Sequence, residues 1–222
     1  MVNTERLVDA TVSAGARPGN GFPKNGGGRF GKDGEPLQFS ASRYRIGAWT
    51  AIASIVMLFT ALISSYIVRS ASGDDWVPIG MPKVLWLSTS LILISSVTME
   101  VSRRSLRSLN DAGYGRWLVV TAVLGLGFLG SQLLAWRQLV RQGVYIATNP
   151  HSSFFYLFTA AHGLHLLGGL VALTFLMLRT ARKRDTAAGE LRRVGAADAA
   201  TIYWHFMDGL WVGLFLLLFF WR

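Results

Sequence analysis

Charge is excluded from five stretches of the chain, at 46–68, 84–102, 117–136, 154–178 and 199–221, apart from Glu100 near the end of the second and Asp208 within the fifth. Arg69 closes the first, Lys83 opens the second, and Arg116 and Arg137 bracket the third. A bilayer core of about 30 Å takes roughly 20 apolar residues in a helix, whereas strands in globular cores average about five or six residues. A spanning segment must also satisfy its own backbone N–H and C=O groups, as a helix does. The pattern therefore predicts an all-α integral membrane protein, a bundle of five transmembrane helices, with almost nothing left to build a soluble core.

Composition supports this class. Of 222 residues, 51% are hydrophobic and 15% charged, and mean hydropathy is +0.37, while soluble domains carry about 25% charge. The net charge of +10 would point to nucleic acid on a soluble protein; here it follows from topology, and no nucleic-acid partner is expected. Seven Lys/Arg precede the first span, four follow the second and six follow the fourth, against five at the opposite ends. The positive-inside rule puts the N-terminus in the cytoplasm and the C-terminus outside. Residues 1–42, with Gly26-Gly27-Gly28, Pro18, Pro23 and Pro36, read as a flexible, Gly-rich basic tail, leaving 43–222 as the membrane domain. The absence of cysteine excludes disulfides, thiol catalysis, cysteine zinc sites and iron–sulfur centres.

Chemistry inside the spans is sparse. Trp76, Trp86, Trp117, Trp136, Tyr203, Trp204 and Trp221 fall near span ends and read as an interfacial aromatic belt. The hydroxyls of Ser88, Thr89, Ser90, Ser95, Ser96 and Thr98 suit helix–helix contact and back-bonding to the helix's own carbonyls. Ionisable groups within a span are costly and therefore functional candidates. His162 and His165 are three apart on the fourth span, and His205 and Asp208 repeat that spacing on the fifth, so each pair shares a helix face. His165 lies about 17 Å from one end of its span and Asp208 about 13 Å from the other end of its own, at similar depth in a ~30 Å core. A carboxylate–imidazole contact is thus accessible, and Gln132 of the third span can join it. The expected site is a buried polar network of His162, His165, His205, Asp208 and Gln132. Haem ligation and a metal site remain open alternatives, with the different depth of His205 counting against both. Arg103, Arg104, Arg179 and Arg182 are expected to meet lipid head groups.

Two stretches carry a family resemblance. His151-Ser-Ser-Phe-Phe-Tyr-Leu-Phe-Thr-Ala-Ala-His-Gly-Leu-His-Leu-Leu-Gly-Gly169 and Tyr203-Trp-His-Phe-Met-Asp-Gly-Leu-Trp211 resemble subunit III of haem-copper terminal oxidases. Gly127-Phe-Leu-Gly-Ser-Gln132 leading to Trp136, and Gly47-Ala-Trp through Ser64-Ser-Tyr66, are similar too. The resemblance covers about residues 43–222. It implies a non-catalytic subunit of a cytochrome c or quinol oxidase in the bacterial cytoplasmic membrane. Such a chain has no haem, copper or other metal of its own. Haem and copper belong to the partner subunits, subunit I being the main contact and subunit II the second. The resemblance further implies bound phospholipid and support of proton uptake and stability during oxygen reduction, in an oxidase that can stand alone or join a respiratory supercomplex.

Departures are visible as well. Fuller-length members of that family have seven spans. Many also have a buried glutamate where Ile55 follows Ser54, and an acid at the position of Ala135. Mechanisms relying on those carboxylates do not transfer. Rival readings are a nitric-oxide reductase accessory subunit sharing the same helices, a small haem-binding quinone-linked subunit, and a stand-alone channel or transporter.

Overall fold

A computed structural model describes residues 37–72, 76, 80–180 and 187–221. They form five helices: α1 (Leu37–Ser72), α2 (Val84–Arg107), α3 (Asp111–Arg141), α4 (Pro150–Thr180) and α5 (Ala187–Phe220). All five are long and apolar enough to cross a membrane. The sequence reading of residues 1–36 as a flexible tail, and that of Arg182, lie outside the described residues; α1 itself begins at Leu37, within the stretch read as tail.

Every helix outruns the apolar run that announced it, and specific contacts hold several of the added ends. Helix α5 extends back to Ala187, and its added turns place Arg193 Nη2 2.7 Å from Asp111 and Asp198 Oδ1 2.8 Å from Arg103 Nε. The Asn110 side chain caps α3 by accepting from the Gly113 N–H at 2.9 Å. At α4, Pro150 occupies the first turn, where its missing N–H costs nothing. Asn149 and Ser152 there exchange side-chain and backbone bonds reciprocally.

The C-termini of α2 and α3 close by the same six-residue bond, Asn110 N–H to Ser105 C=O and Val144 N–H to Leu139 C=O, both 3.0 Å. Such a cap needs one left-handed residue. After α3 this is Gly143, at φ +77°; after α2 it is Leu109, at φ +58° and 80% exposed. A leucine pays a steric penalty there that glycine avoids, and it buries little in return. Leu109→Gly is therefore expected to raise stability by about 1 kcal/mol, read as a higher thermal midpoint of the detergent-solubilised chain; a lower midpoint contradicts the argument.

Helix α5 occupies the middle of the bundle, packing on α1, α2 and α4, while α3 packs on α2 and α4, and α1 also touches α4. Among the described residues α1 makes no contact with α2, so α5 keeps one open face between them. The end of the bundle holding the α1 and α4 connections is fastened by aromatics: Tyr66 meets Trp76, His151, Phe154 and Phe158 with ring centroids 5.1–6.1 Å apart. The Tyr66 hydroxyl donates to the Trp221 carbonyl at 2.6 Å, and Trp221 Nε1 returns a bond to Ser70 at 3.0 Å.

Candidate functional site

The polar atoms of the interior are concentrated where α2 meets α3 and α5. Ser88, Ser95 and Ser102 recur every seven residues and are 0% exposed, which puts them on one line down the helix. Ser95 donates to its own helix, at the Ile92 carbonyl 2.7 Å away, and accepts the indole N–H of Trp204 at 3.0 Å. Thr89 does likewise, donating to Leu85 C=O and accepting from Trp211 at 3.1 Å. A hydroxyl is both donor and acceptor, so one bond satisfies its proton within the helix and the lone pairs remain for a neighbour. Ser88 accepts from Gln132 Nε2 at 3.1 Å, Thr98 and Thr121 share a 2.8 Å bond, and Ser102 donates to the Tyr114 carbonyl at 3.1 Å. On the far side of the bundle Trp136 donates to Thr159 at 3.0 Å.

Trp204 is the centre of this seam. Only 1% exposed, it is not part of the interfacial belt in which its sequence position near Tyr203 places it; Trp49, Trp86, Trp117 and Trp221 are the exposed tryptophans near span ends. Its ring lies in a slot cut by two glycines. A Cβ on Gly125 would stand 2.9 Å from Trp204 Cη2, and one on Gly169 would stand 3.4 Å from Cζ3. The signal was present in the sequence as Trp204 and Trp211 seven apart, but the partner hydroxyls and the glycine slot come from three other helices.

The five residues expected to form one network occupy separate settings. His162 is fully buried, with neither ring nitrogen hydrogen-bonded, its ring 5.6 Å from Phe128 and 5.2 Å from Trp211. His165 Nδ1 stands 2.7 Å from its own Ala161 carbonyl, and its ring lies 5.9 Å from Phe59 of α1. Three residues subtend about 300°, so the two imidazoles diverge by about 60°, one toward α3 and α5 and the other toward α1. Tyr203 of α5 donates to the His165 carbonyl at 2.8 Å. Asp208 is 3% exposed with neither carboxylate oxygen in a hydrogen bond; Ser96 faces it from α2, outside bonding geometry. Gln132 gives its Nε2 to Ser88 while its Oε1 is buried without a partner, and His205 points out of the bundle. No direct hydrogen bond joins these five. Among the described residues, no three His, Cys, Asp or Glu gather as a metal-binding group.

The arginines expected at lipid head groups divide likewise. Arg103 is engaged by Asp198 at 2.8 Å and Glu100 at 3.1 Å, whereas Arg104 pairs with Glu100 at 3.1 Å and keeps a side chain 77% exposed. The Arg179 side chain lies outside the described residues, as does Arg182.

A multi-pass helical membrane protein whose interior polarity ties helix to helix is the class that fold and site define. The family model for cytochrome c oxidase subunit III matches residues 33–222. The chain is 32% identical over 181 residues to a protein of Nocardia farcinica named "Probable cytochrome c oxidase subunit 3", covering 80% of this chain and 87% of that one. It is 27% identical over 173 residues to cytochrome c oxidase subunit 3 of a Bacillus species, covering 77% and 82%. Against cytochrome c oxidase subunit 3 of a Synechocystis species it is 31% identical over 168 residues, covering 73% and 69%. This chain belongs to the cytochrome c oxidase subunit III family, and with it to a multi-subunit oxidase.

Proposed function

We propose that the chain is the non-catalytic third subunit of an oxidase of the bacterial cytoplasmic membrane that draws electrons from cytochrome c or quinol and reduces oxygen to water. It packs on subunit I, with subunit II completing the core, and haem and copper reside in those partners. Phospholipid bound to it supports proton uptake and keeps the oxidase stable through turnover. The observation that carries the reading is how the interior polar side chains are used: the Ser88, Thr89, Ser95, Thr98 and Ser102 hydroxyls fasten helices together, as suits a scaffold. An almost wholly apolar groove of ≈ 240 Å³ between α1, α4 and α5, lined by Ala48, Gly169, Ala172, Phe175, Ala200 and Trp204, supports the lipid part of the reading.

The test is to purify the tagged chain from its own membranes, then separate it from its partners. Haem absorbance is expected to follow the partners, and native mass spectrometry is expected to find phospholipid on the complex. Ala172→Phe, which fills the groove, is expected to lower retained phospholipid severalfold and to hasten loss of activity during turnover. Stoichiometric haem on the separated chain overturns the reading.

A further inference from the structure

The polar groups on the outer surface of the bundle fall into two kinds. Exposed hydroxyls satisfy themselves: Thr50, Ser54 and Ser65 on α1 and Ser90 on α2 each donate to a carbonyl one turn back. Such side chains face hydrocarbon at little cost. His205 is different. It is exposed in the middle of α5 and, among the described residues, its ring makes no hydrogen bond comparable to that of His165 with Ala161. It stands seven residues beyond Asp198, hence about 10 Å deeper than the ion pairs with Arg103 and Arg107 that mark the end of the bundle. Glu100 and Arg103 on α2 lie within electrostatic range on one side. An imidazole facing acyl chains at that depth leaves donor and acceptor without partners, which membrane proteins avoid by turning such groups toward protein or water.

The surroundings specify the shape of what covers it. This is the face of α5 left open because α1 and α2 do not meet. Along it follow Gly209 and Gly213, where an added Cβ would meet nothing within 4 Å, and then exposed Leu216. The two glycines lower the surface beside the imidazole and let another backbone come close, while the imidazole supplies polarity that lipid chains cannot match.

We infer that this face of α5, centred on His205, seats a transmembrane helix of another subunit, which lies over Gly209 and Gly213 and offers His205 a hydrogen-bonding side chain. The inference rests on the chain's place in a multi-subunit oxidase and adds to it the surface that docks. Charge at the basic end supports the same orientation: Asp198 and Glu100 are held by arginines of the chain itself, so the histidine is the polar group left for a partner.

The experiment uses the complex in native membranes. A photo-activatable benzophenone side chain is introduced in place of Leu216 or Ile202, and in place of Leu164 or Val171 on the outer face of α4 as controls. Adducts of Leu216 or Ile202 with a different polypeptide are expected to exceed those of the controls severalfold. An equal or reversed ratio, adducts with lipid alone, or adducts with a second copy of this chain each overturn the proposal. His205→Leu is expected to reduce partner recovered with the tagged chain about three- to tenfold, with His205→Gln retaining recovery within about twofold; equal recovery of all three overturns it. Haem-bearing partners co-purifying with the unaltered chain, scored in the same preparation, test membership of the oxidase separately. A complex that forms through another face sinks the interface alone.

Discussion

Trp204→Ala is expected to destabilise the bundle by about 3 kcal/mol. The indole is 1% exposed at the junction of α2, α3, α4 and α5. In a bilayer, moving an apolar ring from protein to lipid has little transfer cost, because the tails are as apolar as the core. What the alanine forfeits is dispersion: the atoms that lined the ring face a void. It also removes the N–H that ties α5 to Ser95 at 3.0 Å. Ser95 itself keeps its bond to the Ile92 carbonyl, so the hydroxyl is not stranded and the lost bond contributes only about 0.6 kcal/mol. Trp204→Phe, which retains most of the ring, should therefore lose about 1 kcal/mol. The check is the unfolding midpoint in mixed detergent micelles as dodecyl sulfate is raised. An alanine variant within about 0.5 kcal/mol of the unaltered chain would show that the ring is not what holds the four helices in register.

The second large effect comes from the other side of the same slot, and its sign is the point. Adding a methyl to a helical glycine ordinarily stabilises by up to about 1 kcal/mol through propensity. At Gly130 and Gly168, where a Cβ meets nothing within 4 Å, Ala is expected to produce that gain. At Gly125 the same methyl lands 2.9 Å from Trp204 Cη2 and 3.2 Å from Leu170 Cδ2. Gly169 backs the ring and Ser95 holds its nitrogen, so relief takes a shift toward the apolar groove that Trp204 helps to line, at the cost of that bond. Gly125→Ala is expected to lose about 1–2 kcal/mol and Gly125→Val about 3. These midpoints, with the Gly130→Ala gain beside them, separate crowding from propensity. A Gly125→Ala chain as stable as Gly130→Ala contradicts the slot.

Some of the site could be read in one dimension and some could not. The hydroxyls of α2 were legible as helix-contact groups because their number in one apolar span has few other uses, and both roles read for them, back-bonding and interhelical contact, occur at Ser95 and Thr89. Position near a span end points Trp204 to the interfacial belt and outweighs its seven-residue spacing from Trp211; the glycines that admit it to the interior stand on α3 and α4. A spacing of three leaves the members of each pair about 60° apart around the helix, which is enough to send them to different neighbours. Equal depth along two helices does not make two side chains meet, either. The rotation of α4 turns His165 to α1, where its ring meets Phe59 while Nδ1 stays on the Ala161 carbonyl of its own helix, and the rotation of α5 turns His205 outward while Asp208 faces Ser96.

The amino-acid order alone determined the number of spans and their family, because the exclusion of charge from some twenty residues is a local requirement of hydrocarbon. It also contained the caps, as at Asn110, Asn149 and Gly143, where a residue meets backbone a few positions away. Helix rotation was decided only by the assembled bundle. Whether a tryptophan lies inside or a histidine outside depends on which neighbouring helices leave room, and at Trp204 that room is the absence of two methyl groups on helices distant in sequence.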